Sequence, residues 1–209
     1  MSYFHSGRSM FRHPGWPASL QHGRVGLRPL RLRDARLWSR LRLRNREPIM
    51  VGEFRSPLPY KLENSTPLHF LSTIYVLWLA RRGRILPWVI TYDGRFVGRL
   101  NVFRVVRGEG GSAEIGGWVD STVNGRGIYT TARVLATDHC FTQVGLGRIY
   151  SHVHSDNVAS LRVNAKVGFR EEQRFGRKEG DGVEREWRRL AISAADYPDG
   201  QVRRLLPPS

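Results

Sequence analysis

A glycine loop in the middle of the chain combines the residue types of an anion-binding site. The loop Asn124–Gly125–Arg126–Gly127–Ile128 follows an apolar stretch that ends at Val119 and precedes a helical pattern of apolar residues. The first N–H groups of a helix have no internal partner, and the helix dipole favours negative charge beside them. Glycine lets a bulky ligand reach the main chain, while Arg126 adds a positive charge and Thr130 a hydroxyl. The pattern predicts a cradle for a diphosphate.

Two familiar phosphate-binding loops do not fit this stretch, and a simple turn remains an alternative. A P-loop needs Gly-Lys-Ser/Thr after its glycines, and that triplet is missing here. The third glycine of the dinucleotide-binding fingerprint is missing as well. The alternative is a strand–loop–helix connection in which Gly125 and Gly127 only shape the turn.

A few side chains near the predicted cradle are suited to acid–base chemistry. Glu114 alternates with Gly116 and Trp118, so the three share one face of the strand and the glycine leaves room for a substrate. Glu114 is therefore the candidate general base, with a surface carboxylate or an arginine ion pair as the alternative. His152 and His154 share a face of a later strand, where packing, solvent contact and a proton relay all remain open.

Composition limits the class of protein. The 209 residues suit one domain with a sizeable core, because 40% of them are hydrophobic. The single cysteine, Cys140, excludes an internal disulfide and favours a reducing, cytoplasmic compartment, and its apolar neighbours favour core packing over catalysis. No apolar run is long enough to cross a membrane, and residues 1–12 lack the apolar segment of a secretory signal.

The formal net charge of +16 favours anionic partners. A polyanionic cofactor, an acidic peptide and RNA all fit this charge, which does not rank them. A polyamine or aminoglycoside substrate fits poorly, because its binding needs an acidic pocket.

Hydrophobic periodicity and turn residues predict a mixed α/β domain. The expected strands span 26–31, 86–92, 95–105, 113–119, 148–154, 169–174 and 186–192; the expected helices span 34–46, 66–82, 127–144 and 157–166. Strands 113–119 and 148–154 flank a helix, so they should be parallel neighbours joined by a right-handed crossover, with a ligand at their carboxyl ends. The predicted domain covers 25–193, between a basic, flexible arm (1–24) and a tail (194–209).

The sequence predicts which side chains of the first two helices face the interior. Leu37, Leu41 and Leu43 should face inward in helix 34–46, which Asp34 should cap. In helix 66–82 the expected apolar side comprises Leu68, Leu71, Tyr75, Trp78 and Leu79. Residues 47–64, with several prolines, are expected to form a loop.

The element order and three motifs resemble the GNAT N-acetyltransferases, in particular the RimJ/RimL type that acetylates N-terminal amines of ribosomal proteins. The resemblance covers about residues 25–193. The motifs are Gly26–Arg31 followed by Asp34; the loop Asn124–Ile128; and Asp156–Ser160 followed by Lys166–Val167–Gly168–Phe169. The resemblance implies the GNAT fold: a mostly antiparallel twisted sheet with one splayed parallel strand pair and about four flanking helices.

The resemblance also implies a cosubstrate and its contacts. Acetyl-CoA would enter the gap between the splayed strands, and its thioester carbonyl would accept an N–H bond near Trp118 and Val119. Its diphosphate would lie on N–H groups of Asn124, Gly125, Arg126, Gly127, Ile128, Tyr129 and Thr130. Asn157 would bond the pantetheine arm, and no metal would be needed. Asn124 and Tyr129 depart from the family pattern, which has Gln or Arg first and Gly or Ala last in this loop.

The same resemblance implies the catalytic acid. Many GNAT enzymes place a tyrosine acid where this chain has Asn164, whereas the RimL-like pattern uses a serine at the position of Ser160. A plain first-turn hydroxyl is the alternative for Ser160.

The expected activity is direct acetyl transfer to a protein or peptide N-terminal α-amine. An α-amine with a pKa near 7.7–8.0 is roughly a tenth neutral at pH 7, whereas a lysine amine is neutral in under about one part in a thousand. The basic surface adds an expected contact with the ribosome or its RNA. Two alternatives remain: a GNAT-shaped protein that binds RNA or acts in ribosome assembly, and a small-molecule amine acetyltransferase.

Overall fold

One eight-stranded sheet runs through the residues that the computed structural model describes, 13–53, 56, 58–197 and 202–206. Its strands are β1 (Leu20–His22), β2 (Val25–Pro29), β3 (Ile85–Tyr92), β4 (Arg95–Val106), β5 (Ser112–Val119), β6 (Arg148–His154), β7 (Arg170–Lys178) and β8 (Glu184–Ser193). Their spatial order is β1-β2-β3-β4-β5-β6-β8-β7. Every neighbouring pair is antiparallel except β5–β6. The predicted mixed sheet with one parallel pair is confirmed.

Helices lie on both sides of this sheet. They are α1 (Asp34–Arg44), α2 (Arg46–Gly52), α3 (Tyr60–Glu63), α4 (Thr66–Arg81), α5 (Ile128–His139) and α6 (Val158–Val167). A π-helical turn, Cys140–Val144, continues α5. Cys140 in this turn is fully buried, and burial raises the pKa of its thiol to about 12.

Strands β5 and β6 pair over only a short distance. Their ladder contains Ser112↔Arg148, Ala113↔Ile149 and Glu114↔Tyr150. Beyond Glu114 the ladder with β6 stops, whereas β5 continues to pair with β4 as far as Val119. The two parallel strands therefore separate toward their carboxyl ends. The predicted splayed pair is confirmed, and Glu114 marks the point where it opens.

The hydrophobic core lies between one face of the sheet and α5. Leu100 and Val102 of β4, Ile115 of β5, and Ile128 and Leu135 of α5 are each at most 2% exposed. Because side chains alternate across a strand, the residues between these core positions face the other side of the sheet. There Trp38 of α1 packs against Trp118 of β5, with ring centroids 5.0 Å apart.

Gly117 lets β4 and β5 approach closely beside the gap. Its φ is +158°, and an added Cβ would lie 2.2 Å from Arg99 O and 2.8 Å from Leu100 Cα. These are backbone atoms of the partner strand and cannot rotate away. We expect Gly117→Ala to lower the free energy of unfolding by about 3 kcal/mol, measured by urea denaturation. Gly116→Ala is the matched control, because its Cβ would meet only Phe103 Cε1, at 3.5 Å. Equal stabilities of the two variants would contradict this expectation.

Both ends of the predicted domain carry additional structure. Residues 20–24, assigned by sequence to the arm, contain β1 and its turn into β2. Further upstream, Ala18 O accepts a 2.9 Å hydrogen bond from Trp88 Nε1. Residues 1–12 of the arm lie outside the described residues. In the predicted tail, Leu206 packs on the core and Tyr197 donates to Val167 O at 3.3 Å; residues 198–201 and 207–209 are not described.

The segment between β2 and β3 differs from its prediction. The expected loop 47–64 contains most of α2 and all of α3. Helix α1 begins at Asp34, and Asp34 accepts from Arg31 N and the Arg28 guanidinium instead of capping the helix. Leu37 and Leu43 are exposed, whereas Trp38, Leu41 and Arg42 are buried.

The expected apolar side of α4 was also wrong in part. Leu71, Tyr75 and Trp78 are exposed, and the buried positions are His69, Thr73 and Ala80. Most faces of this helix carry apolar residues, so the periodicity does not single out the buried stripe.

Candidate functional site

The glycine loop forms an open set of N–H donors. Gly125 (φ +76°) and Gly127 (φ +71°) are left-handed, and a Cβ on either would have no neighbouring atom within 4 Å. Thr131 is the first residue of α5 whose N–H bonds back to the loop, at Gly127 O. None of the described residues accepts a hydrogen bond from the backbone N–H groups of 125–130. The loop is therefore stereochemically suited to a diphosphate.

Asn124 and Tyr129, the two departures from the family pattern, are placed differently in this loop. The N–H of Asn124 donates to Ser121 O at 3.2 Å, so the free donors begin at Gly125. Tyr129 is half-buried and packs against the core, with its ring 5.9 Å from the Arg133 guanidinium carbon. Ile128 anchors the start of α5 and is 1% exposed. Both side chains that follow Gly127 thus point toward the protein interior.

A buried carboxylate holds the turn that leads into the loop. Asp120 accepts from the Asn45 side-chain amide at 3.1 Å and pairs with Arg44. Asn45 Oδ1 in turn accepts from Ser121 N at 2.9 Å. The end of α1 therefore positions the loop entrance. Sequence reasoning missed this contact, because it joins residues about 75 positions apart.

The predicted base, Glu114, lies between two partners where the strands separate. His152 Nδ1 donates to Glu114 Oε2 at 3.1 Å, and Arg104 Nη1 donates to Oε1 at 2.5 Å. Burial alone would raise the pKa of Glu114, but the hydrogen bonds from His152 and Arg104 outweigh it and hold the pKa below its ordinary value. Glu114 is thus an ionised carboxylate that fixes the His152 ring. The arginine ion pair weighed as an alternative is also present.

A bulge in β4 brings Arg104 to Glu114. The β4–β5 register shifts between Phe103 and Val106, and Arg104 has a φ of +52°. Such bulges re-aim a side chain, and left-handed backbone is uncommon for arginine. Regular alternation along a strand offers no signal for this contact.

The predicted acid, Ser160, belongs to a separate network on α6. Asn157 Oδ1 caps the helix by accepting from Ser160 N at 3.0 Å. Asn164 Nδ2 donates to Ser160 O at 2.8 Å and lies 3.5 Å from Ser160 Oγ. The buried Arg133 donates to Asn164 Oδ1 at 2.8 Å. No hydrogen bond in the described structure joins Ser160 to Glu114.

Trp118 and Val119, the predicted neighbours of a thioester, end β5. They pair with Arg99 and Gly98 of β4 and lie beyond the last β5–β6 pair. Arg99 is 6% exposed, and its guanidinium carbon lies 5.0 Å from the Trp38 ring centroid. Sequence reasoning did not single out Arg99, because β4 also contains Arg95, Asn101 and Arg104 and nothing in its pattern marks Arg99 as the buried one.

His69 is a buried residue of α4 in the same layer, with its ring centroid 6.5 Å from that of Trp38. Its Nε2 is 3.3 Å from Asn64 Oδ1. Burial, with Arg42 and Arg99 nearby, lowers the pKa of His69 from 6.5 to about 4. His69 is therefore neutral in the folded protein at pH values where it is protonated in the unfolded chain.

This difference predicts a loss of stability in acid. Between pH 6.5 and 4 the unfolded chain binds more protons at His69 than the folded protein, so the free energy of unfolding falls as the pH falls. From pH 7.5 to 4.5 the contribution is on the order of 2–3 kcal/mol. We expect His69→Gln to lose that much less stability than the unaltered protein over this range, measured by urea denaturation. Equal losses would contradict the expectation.

Two further features of the described residues concern metal binding and membrane insertion. These residues contain no group of three or more His, Cys, Asp or Glu side chains arranged to hold a metal ion. No helix among them has the length and apolar character needed to cross a bilayer.

Comparison with known proteins agrees with this geometry. Residues 24–170 match the family model described as the acetyltransferase (GNAT) domain. The structure of Mycobacterium smegmatis RimJ in complex with CoA-disulfide is 40% identical, covers 93% of this chain and 96% of that chain, and superposes with a TM-score of 0.86. The structure of the ribosomal-protein-S5-alanine acetyltransferase of Vibrio fischeri is 18% identical, covers 86% of this chain and 98% of that chain, and has a TM-score of 0.76. At this identity the match supports the fold alone.

A curated sequence gives a shorter match. The probable N-acetyltransferase YjcK of Bacillus subtilis is 39% identical over 80 residues, which are 38% of this chain and 44% of that relative. The match thus spans less than half of the curated relative. The family model and the RimJ structure, by contrast, cover most of this chain. The chain therefore belongs to the GNAT family of acetyltransferases and is a transferase enzyme.

Proposed function

We propose that the protein transfers an acetyl group from acetyl-CoA directly to the N-terminal α-amine of a protein, of the ribosomal-protein type. The observation that carries this proposal is the gap between β5 and β6, which opens at Glu114, together with the free N–H groups of 125–130 in the loop that follows β5. The similarity to M. smegmatis RimJ, solved with a CoA-disulfide, supports the cosubstrate. The same similarity, together with the resemblance of the sequence motifs to the RimJ/RimL type, supports a ribosomal-protein acceptor.

The residues present fit acetyl-CoA, which would supply the acetyl thioester. Gly125, Arg126, Gly127, Ile128, Tyr129 and Thr130 would hold the diphosphate through their N–H groups, with Asn124 at the edge of this cradle. Asn157 Oδ1 already caps α6, so its Nδ2 is the group left to bond the pantetheine amides. Trp118 and Val119 would place a backbone N–H at the thioester carbonyl, where a developing oxyanion is stabilised.

Glu114 would act on the acceptor amine through His152. The acceptor must lose a proton to attack the thioester, and a carboxylate with a lowered pKa is a weak base. Because Nδ1 of His152 donates to Glu114, the neutral ring presents Nε2 as a proton acceptor. Glu114 would then orient the ring and stabilise its protonated form. This refines the sequence-based prediction, in which Glu114 takes the proton itself.

Ser160 would give its hydroxyl proton to the departing thiolate and regain a proton from solvent. Its hydroxyl is close to Asn164, and Asn164 is held in turn by the buried cation Arg133. Because Asn164 Nδ2 donates to Ser160 Oγ, the hydroxyl hydrogen of Ser160 is left free for the thiolate. A contact with ribosomal RNA, and hence a cytoplasmic location, remains part of the proposal and is supported by the net charge of +16.

The test measures cosubstrate binding and then acceptor choice. Calorimetric titration should give micromolar dissociation constants for acetyl-CoA and CoA. Mass spectrometry should then detect a single acetyl group at the N-terminus of peptides, with no modification of the same peptides when that amine is blocked. Turnover of free amines without turnover of peptides would replace this function with a small-molecule activity. Absence of CoA binding by the folded protein would exclude acetyl transfer and favour the RNA-binding alternative.

A further inference from the structure

Three buried polar atoms beside the gap have no hydrogen-bond partner among the described residues. They are Arg99 Nε, Asn101 Oδ1 and Trp118 Nε1. Buried polar atoms in folded proteins are nearly always paired, so each exception needs a physical reason. Three unpaired polar atoms at neighbouring positions of β4 and β5 indicate a place where a ligand completes the hydrogen bonding.

The strand register places these atoms on one face. Arg99 is the cross-strand partner of Trp118, and Asn101 is the partner of Gly116. Cross-strand partners share a face, and alternate residues of one strand do too. Glu114 is the next residue of β5 on this face. The surface therefore has two hydrogen-bond donors at one end, an amide oxygen in the middle and the carboxylate at the other end.

Arg99 is a buried cation that bonds no anion among the described residues. The carboxylates nearest to it in this layer are already engaged, because Asp34 pairs with Arg28 and Glu53 pairs with Arg42. Burial and the charge of Arg42 lower the pKa of Arg99 to about 10, so it remains charged at neutral pH. Its one partner in the described structure is the Trp38 ring. An unpaired buried charge is strongly unfavourable, and an incoming anion would relieve that cost.

Space for such a ligand exists above Gly116. A Cβ built on this residue would have only Phe103 Cε1 within 4 Å, at 3.5 Å. Because Gly116 has no side chain, space for a ligand group remains between the side chains of Glu114 and Trp118. A group placed there would lie beside Asn101 Oδ1, which can accept an N–H.

We propose that Arg99 and the Trp118 indole N–H bind a carboxylate of the acceptor, and that the acceptor class is a peptide with an acidic side chain in its first two residues. Asn101 would accept an N–H of the same peptide. The inference rests on the proposed transfer to an N-terminal amine and adds a specificity site to it. The excess of positive charge on the chain would also favour the approach of such a peptide.

The strand spacing distinguishes a side-chain carboxylate from the α-carboxylate of a free amino acid. Same-face neighbours on a strand are about 7 Å apart, so an amine above Gly116 and a carboxylate at Arg99 are separated by about this distance. A glutamate side chain at residue one, or an acidic side chain at residue two, spans approximately this distance. In a free α-amino acid the amine and the α-carboxylate share one carbon and are too close together.

The experiment compares matched peptides with the full-length protein. One series carries Glu at position 1, 2 or 5, and the other carries Gln at the same position; free glutamate is a separate arm. The proteins are the unaltered chain, Arg99→Gln, Arg99→Lys and the control Arg95→Gln, which removes an exposed charge from the same strand. The readouts are kcat/KM by mass spectrometry and the Kd of each peptide by calorimetry with CoA present. Thermal melts check folding.

We expect the unaltered protein to favour Glu over Gln about 10- to 100-fold at position 1 or 2, and to show no preference at position 5. Arg99→Gln should remove the preference, because kcat/KM should fall at least about tenfold more for the Glu peptides than for the Gln peptides, a readout that general destabilisation would not produce. Arg99→Lys should keep part of the preference, because it keeps the charge but loses the planar fork. Arg95→Gln should behave as the unaltered protein.

Several outcomes would overturn the inference. They are no preference in the unaltered protein, equal loss of both peptide series in Arg99→Gln, the same loss in Arg95→Gln, and a preference for free glutamate over the peptides. The first of these tests needs no variant, so a variant that fails to fold does not remove it. Acetylation without an acidic preference would reject the inference and keep the proposed function. Binding of acidic peptides through Arg99 without acetylation would reject the proposed function and keep the carboxylate site.

Discussion

Replacement of Gly127 by valine is expected to weaken acetyl-CoA binding at least about 100-fold and to remove acetyl transfer. Gly127 has a φ of +71°, and a Cβ there would project into space that no protein atom occupies within 4 Å. The added side chain would stand among the N–H groups that receive the diphosphate, and several charge-assisted hydrogen bonds would be lost together. Calorimetric titration of CoA and acetyl-CoA measures the effect.

The control must separate this effect from backbone strain. A β-branched residue in the left-handed region costs about 1–3 kcal/mol wherever it occurs. Gly145 has a similar φ of +78° and an equally open Cβ position, but it ends the π-helical turn after α5. We expect Gly145→Val to lose comparable stability and to bind CoA normally. Normal CoA binding by Gly127→Val would mean that the diphosphate site lies elsewhere.

Removal of the His152 ring is expected to lower kcat about 100- to 1,000-fold with little change in the Kd for acetyl-CoA. General-base catalysis typically contributes 10²- to 10⁴-fold, and His152 Nε2 is the proposed proton acceptor. Glu114→Gln should lower kcat by a similar factor. Its amide can donate to His152 Nδ1 and would favour the tautomer in which Nε2 carries the proton. The measurement is a set of pH–rate profiles of kcat and kcat/KM for an acetylatable peptide.

Two features of the profiles distinguish a catalytic role from a structural one. The deficit of His152→Gln should shrink as the pH rises above about 8, because the α-amine is then neutral without a base. His154→Gln is the control, since His154 lies two residues along the same strand and contacts Trp187 and Asp156 instead of Glu114. Equal losses in both variants, or a deficit that does not depend on pH, would reject the proposed base.

The features that depend on neighbouring residues were predicted from the sequence. The helix after Gly127, the strand before Asp120 and the crossover to β6 follow from local periodicity and turn chemistry, and the structure confirms them. Alternation along β5 also put Glu114, Gly116 and Trp118 on one face. These patterns are readable because a strand or helix repeats its geometry every few residues. The family resemblance drawn from them agrees with the matched GNAT domain.

The features that depend on distant residues were decided by the tertiary structure. Glu114 hydrogen-bonds to His152 on a neighbouring parallel strand and to Arg104 at a bulge in β4. Neither contact can be predicted from local periodicity. The unpaired state of Arg99 follows from the assignment of the nearby carboxylates to other arginines. Register, bulges and helix docking join segments that are far apart in the chain. The sequence by itself therefore determined the fold class and the glycine loop, whereas the partners that tune the site depend on how the strands and helices come together.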